Sequence, residues 1–244
     1  MIFIANWKMN GEKSHISGIN KTIKFLKQSK NKKNQLIYCP PFTLISLVKN
    51  KVKNSKIKVG AQNLSELNDY GAFTGSVNSK LIKSAGGEYV IVGHSEIRNQ
   101  ENDILINKKI HSALKEKLKV ILCIGETDKE KKNNKTLSVL KRQITIALKN
   151  IKKINNIIFA YEPRWAIGTG KIPKSPELRK NFKEINNIIK KLKKNQKYKI
   201  IYGGSVNSKN VSELKEINDL KRFLIGSASL RAKNFIDIIK KSTN

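Results

Sequence analysis

The stretch "IIFAYEPRWAIGTGKIPKSPELRKNFKEINNIIKKL", Ile157 to Leu192, contains one complete structural unit. It opens with Ile157 to Tyr161, a β-branched and aromatic run suited to a short buried strand. A loop with two glycines follows. At "KSPEL" the pattern changes: Ser175 reads as an N-cap, Pro176 as the first helical residue, and Glu177 as a first-turn acid at the positive end of a helix. Leu178, Phe182, Ile185, Ile188, Ile189 and Leu192 then recur at helical spacing and make one face apolar. The unit is strand, loop, helix.

Working outward, the unit recurs. Short β-rich runs occupy Ile2 to Ala5, Gln35 to Cys39, Ile57 to Ala61, Tyr89 to Val92, Val120 to Ile124, Lys199 to Tyr202 and Phe223 to Ile225. Between runs the apolar residues switch to a helical period, as Ile110, Leu114 and Leu118 do. With Ile157 to Tyr161 the chain holds eight units of about thirty residues, the size of a βα repeat. Such alternation means a parallel sheet, and eight uninterrupted units favour an α/β fold closed as a (β/α)8 barrel, one domain over residues 1–244. An open doubly wound sheet shares the alternation and stays open at this point.

The 244 residues, 39% hydrophobic, suffice for one large core. No apolar run reaches the roughly eighteen residues of a membrane span, and no secretory leader pattern opens the chain. Cys39 and Cys123 lack metal-type spacing and are too few for a disulfide framework. A soluble protein of the reducing cytoplasm, without membrane contact, is expected.

The formal net charge of +32 comes mostly from lysine. The lysines are spread over nearly every helical segment, with few arginines and no aromatic interleaving, which is the pattern of solvated faces. The densest run, "KEKKNNK" from Lys129 to Lys135, reads as the start of a solvated loop or helix. A basic barrel with a nucleic-acid or surface-binding role is the alternative outside enzymes. A different phosphate-sugar barrel, an epimerase or synthase, is the alternative within them.

Residues just after barrel strands are the first candidates for chemistry. Asn6 and Lys8 follow the first strand, His94 and Glu96 the fourth, and Glu162 the sixth. Gly203, Gly204 and Ser205 follow the seventh, and Gly226 and Ser227 the eighth. Singly each has a bland reading: a solvated lysine, a turn glycine, a glutamate balancing Arg98. Their joint placement outweighs those readings. The glycine-rich turns offer backbone N–H groups to a phosphate. Facing them are an amine, an imidazole and a carboxylate, with no metal-ligand cluster and no dinucleotide fingerprint, so proton transfer without metal or cofactor is expected.

Glu162 is placed to take a proton from carbon beside a carbonyl, with Lys8 and His94 stabilising the oxyanion. Ser95 is expected to cap a short helix whose positive end keeps His94 neutral. Pro163 to Lys171 reads as a lid in which Trp165, Ala166 and Ile167 exclude water and Gly168 and Gly170 permit closure over the phosphate.

These residues resemble the triosephosphate isomerase family. "NWKMN", "GAQN", "GAFTG", "VGHSEIR", "CIGE", "YEPRWAIGTGK", "YGGSV" and "SASL" match its motifs in order across essentially the whole chain. The resemblance implies a TIM barrel that interconverts dihydroxyacetone phosphate and D-glyceraldehyde 3-phosphate without cofactor. It implies that Asn6 and Lys8 bind the triose phosphate, His94 is the electrophile and Glu162 the base, and Gly168, Ser205 and Gly226 hold phosphate. The assignment of a Glu base, neutral His and closing loop is the one general chemistry gives as an example for this family. Glu96 is implied to position Lys8 or shuttle protons, and Arg98 with Glu101 to form a buried ion pair. A homodimer is implied, with Thr74 at the tip of the loop that reaches the neighbouring subunit.

Three positions depart from the family pattern. Ser76 stands where a glutamate that pairs across the dimer is usual. Ser227 replaces a second glycine in the phosphate turn, keeping the N–H but restricting φ. Arg164 replaces an aliphatic residue beside Pro163, and its charge is expected to face solvent.

Overall fold

The computed structural model describes residues 1–28, 31–217 and 220–243. Its strands are β1 (Ile2–Asn6), β2 (Gln35–Cys39), β3 (Lys58–Ala61), β4 (Tyr89–Val92), β5 (Lys119–Ile124), β6 (Ile157–Tyr161), β7 (Lys199–Tyr202) and β8 (Arg222–Ile225). The helices are α1 (Lys13–Lys27), α2 (Ile45–Val52), α3 (Ser79–Ser84), α4 (Asp103–Lys115), α5 (Asp128–Lys132), α6 (Thr136–Ala147), α7 (Ser175–Leu192), α8 (Val211–Lys215) and α9 (Ala232–Thr243). Neighbouring strands run parallel in chain order, and β8 returns to β1 with Ile2 opposite Arg222. The sheet is a closed eight-stranded barrel, and the open-sheet alternative falls.

The alternation of strand side chains divides the core in two. Ile2, Ile4, Ile37, Cys39, Ile91, Ile121, Cys123, Ile158, Ala160 and Leu224 pack with one another and fill the barrel. The intervening residues, among them Phe3, Leu36, Val90 and Phe159, join Ile106, Ile144, Ile185 and Phe235 of the helices. No helix among the described residues is long and apolar enough to cross a membrane.

Some local expectations shift. Helix α7 begins at Ser175 with Lys174 as its N-cap, because Leu178 N–H already donates to Lys174 O at 3.0 Å. Ser175 is therefore inside the helix, though Pro176 and Glu177 lie in the first turn. Helix α4 stops at Lys115, and Leu118 reaches the core from the connection after the left-handed Lys117. Leu192 ends α7 partly exposed, while Leu178, Ile185 and Ile189 carry its buried stripe. The lysine-rich run Lys129 to Lys135 begins on α5, which buries no residue, and ends at Lys135, the N-cap of α6.

Candidate active site

Strand alternation carries two side chains directly into the mouth of the barrel. On β1 the interior series Ile2, Ile4 continues to Asn6, and on β6 the series Ile158, Ala160 continues to Glu162 just past the strand. A cavity of about 230 Å³ opens there, lined by Asn6, Lys8, His94, Glu162, Gly168, Ser205, Gly226 and Ser227 among others. Eight of the nine residues named from sequence thus meet at one place. The ninth, Glu96, stands behind Lys8 with its Oε1 2.5 Å from Nζ.

Lys8 adopts a left-handed backbone, φ 54°, which is costly for a residue with a side chain and persists only where neighbours hold it. Those neighbours are visible. Lys8 N–H donates to Asn6 Oδ1 at 3.0 Å, and Gln62 Nε2 donates to both Lys8 O and Cys39 O at 2.9 Å. With Glu96 on the ammonium, the cation is held at both ends.

Glu162 is almost fully buried. One carboxylate oxygen accepts from Ser95 N–H at 3.2 Å, and the other lies 3.4 Å from His94 Nε2. His94 Nδ1 accepts from Glu96 N–H at 3.3 Å, which leaves Nε2–H as the donor toward the cavity. The expected short helix after His94 is instead a run of turns over 95–100, and Ser95 Oγ has no partner.

The lid runs from Pro163 to Lys171. Gly168 and Gly170 lie at φ 73° and 75°, a region that suits glycine and lets the segment bend. Ser205 Oγ donates to Ala166 O at 2.6 Å and accepts from Gly170 N–H at 3.3 Å, tying β7's loop to the lid. Trp165 Nε1 donates to Glu126 Oε1 at 2.8 Å, and Lys131 Nζ sits 3.5 Å from the Trp165 ring centroid. Arg164 does not face solvent freely: it is partly buried and its Nη2 donates to Asn99 Oδ1 at 2.7 Å.

Beneath the lid, Glu126 accepts from Tyr161 Oη at 3.1 Å, and Asn181 Nδ2 donates to that hydroxyl at 2.8 Å. Burial holds the Glu126 carboxyl above its ordinary range. Burial and then the Glu126 charge push the Tyr161 hydroxyl up in turn. Below Glu162, burial and the Glu162 carboxylate push up the Cys123 thiol.

The expected Arg98–Glu101 pair does not form. Arg98 pairs with Asp103 at 2.7 Å and donates to Gly93 O and Cys123 O, whereas Glu101 pairs with buried Lys109 and accepts from Asn63. Each ion has a nearer partner on α4. Sequence reasoning also passed over Gln62 and Glu126, which follow β3 and β5. The strand-end rule reaches both, but neither bears on the substrate carbonyl and so neither stood out.

The comparisons bear on the whole chain. The family model described as triosephosphate isomerase matches residues 1–242. The chain is similar to triosephosphate isomerase of Alkaliphilus metalliredigens (strain QYMF), 38% identical with 98% of each chain covered. It is 41% identical to that of Zygosaccharomyces bailii, over 96% of this chain and 95% of the relative. A crystal structure of triosephosphate isomerase from Bartonella henselae matches with a TM-score of 0.90 at 31% identity, covering 100% of this chain and 99% of that one. The nucleic-acid alternative gains no support from these relatives.

Proposed function

The chain belongs to the triosephosphate isomerase family, and on that premise we propose that Glu162 is the base that interconverts dihydroxyacetone phosphate and D-glyceraldehyde 3-phosphate. The enzyme is an intramolecular aldose–ketose isomerase. The observation that carries the assignment is the convergence of Glu162, His94 and Lys8 on one cavity that the glycine-rich turns after β7 and β8 also line.

The phosphate lies against Gly168, Ser205, Gly226 and Ser227, where backbone N–H groups and a hydroxyl are on offer. The carbonyl oxygen then meets Lys8 Nζ and His94 Nε2–H. Glu162 removes the proton from the carbon beside the carbonyl, and the electron pair moves onto oxygen as the enediolate forms. That charge is stabilised by the fixed ammonium and the neutral donor. Glu162 returns the proton to the neighbouring carbon, and the hydroxyl proton transfers between the two oxygens. The closed lid keeps water from an intermediate prone to losing its phosphate.

Residues 1–244 act as one domain, in the cytoplasm, as a homodimer joined through the Thr74 loop. Exposed Tyr70 and Phe73 beside Thr74 supply apolar surface for that contact. The test of the base is Glu162→Asp, which keeps the carboxylate but withdraws it by one methylene. The turnover number is expected to fall roughly a hundredfold with KM little changed. An unchanged turnover number would overturn the assignment.

A further inference from the structure

Strand β4 ends at Val92, opposite Leu122, while β5 runs on to Ile124 and the chain continues through Gly125 and Glu126. Successive carbonyls of an extended chain point to opposite sides, each toward a neighbouring strand. On the β6 side the ladder continues: Glu162 N–H donates to Ile124 O at 2.7 Å, and Arg164 N–H to Glu126 O at 2.9 Å. The other side has lost its strand, and side chains take its place. Arg98 Nη2 donates to Cys123 O at 2.9 Å. Gln143 of α6 takes the next position, its Nε2 donating to Gly125 O at 3.1 Å and its Oε1 accepting from Gly125 N–H at 2.8 Å.

Gln143 is buried, and its one amide satisfies both polar groups of a buried glycine. That glycine is pressed against the residue carrying the base. A β-carbon on Gly125 would stand 1.8 Å from Glu162 O, so only glycine fits, and a shift of Gly125 is passed to Glu162. Glycine also has the widest backbone freedom, so a close approach built on it needs an outside tether. Glu126 follows at once and accepts from Trp165 Nε1 and, at its carbonyl, from Arg164 N–H, both in the first part of the lid.

We propose that Gln143, which does not line the cavity, is a positioning residue for the reaction. By clamping Gly125 it fixes Glu162 on one side and, through Glu126, the entrance of the lid on the other. The inference rests on Glu162 being the base. Ser205, Gly226 and Ser227 follow β7 and β8, away from this clamp, so loosening it acts on proton transfer rather than on phosphate binding.

Two variants test this. Gln143→Met keeps the length of the side chain and removes both hydrogen bonds, while Gln143→Asn keeps the amide and withdraws it by one methylene. In each, the turnover number per folded chain is expected to fall about tenfold, with KM and inhibition by inorganic phosphate changed by less than about twofold. A residue that only stabilised the fold would lower the melting temperature and leave the turnover number of the folded chain unchanged, and that result overturns the inference. So does a loss carried by KM alone. Glu162→Gln, assayed beside them, separates the two readings. Near wild-type turnover in Glu162→Gln would remove the base assignment and this inference together, whereas an inactive Glu162→Gln beside fully active Gln143 variants would remove this inference alone.

Discussion

Gly203 lies directly against Glu162: a β-carbon on Gly203 would stand 2.8 Å from Glu162 Cγ and 3.1 Å from its Oε1. Gly203 N–H also donates to Tyr161 O at 2.9 Å, so the backbone of the β7 loop is fixed beneath the carboxylate. The Glu162 carboxylate thus has room only because a side chain is missing at the end of the next strand, β7.

Gly203→Ala is therefore expected to displace the carboxylate and leave the barrel intact. The turnover number should fall about a hundredfold, since small misplacements at the reacting atoms have effects of that order. Steady-state kinetics with circular dichroism checks it. Wild-type turnover in the variant would mean that Glu162 tolerates the shift.

Glu126 imposes a pH dependence on stability. Burial raises its folded-state pKa above the ordinary 4.5, so the native state binds the proton more tightly than the unfolded chain. Its contribution is fully present below that ordinary value and is lost as pH rises through the folded pKa. Glu126→Gln keeps one acceptor oxygen, able to serve Trp165 and Tyr161 as Oε1 does, but does not titrate. Relative to wild type, its melting temperature should rise as pH increases from 4.5, and a constant difference across that range would contradict the assignment.

The dimer proposal predicts a mass of twice the 27.7 kDa chain at micromolar concentration by light scattering. Phe73 is 49% exposed beside Thr74, so Phe73→Asp introduces a charge where the loop meets its partner without disturbing the core. A single-chain mass is expected for the variant. A wild-type monomer, or a dimer indifferent to the substitution, would remove this interface.

Much of this was legible in sequence because barrels repeat a simple rule. β-branched runs at regular spacing mark the strands, and the residues just after them, Asn6, Lys8, His94 and Glu162, line one cavity. Tertiary partners were less legible. Arg98 chose Asp103 and Glu101 chose Lys109 through the packing of α4, and no spacing in the chain reveals which of several nearby charges lies closest. The surroundings of His94 differ from the expected helix terminus: turns follow it, and its Nδ1 accepts from the backbone N–H of Glu96. The left-handed Lys8 left no trace in sequence either, since its strain is supported by Gln62, far along the chain.

The most direct test is isomerisation of glyceraldehyde 3-phosphate by the purified chain, with Glu162→Gln assayed beside it and both folds checked by circular dichroism. Strong wild-type turnover is predicted, reduced by at least about a thousandfold in a folded variant that still binds inorganic phosphate. A folded Glu162→Gln enzyme with turnover close to wild type would contradict the claim that Glu162 is the base.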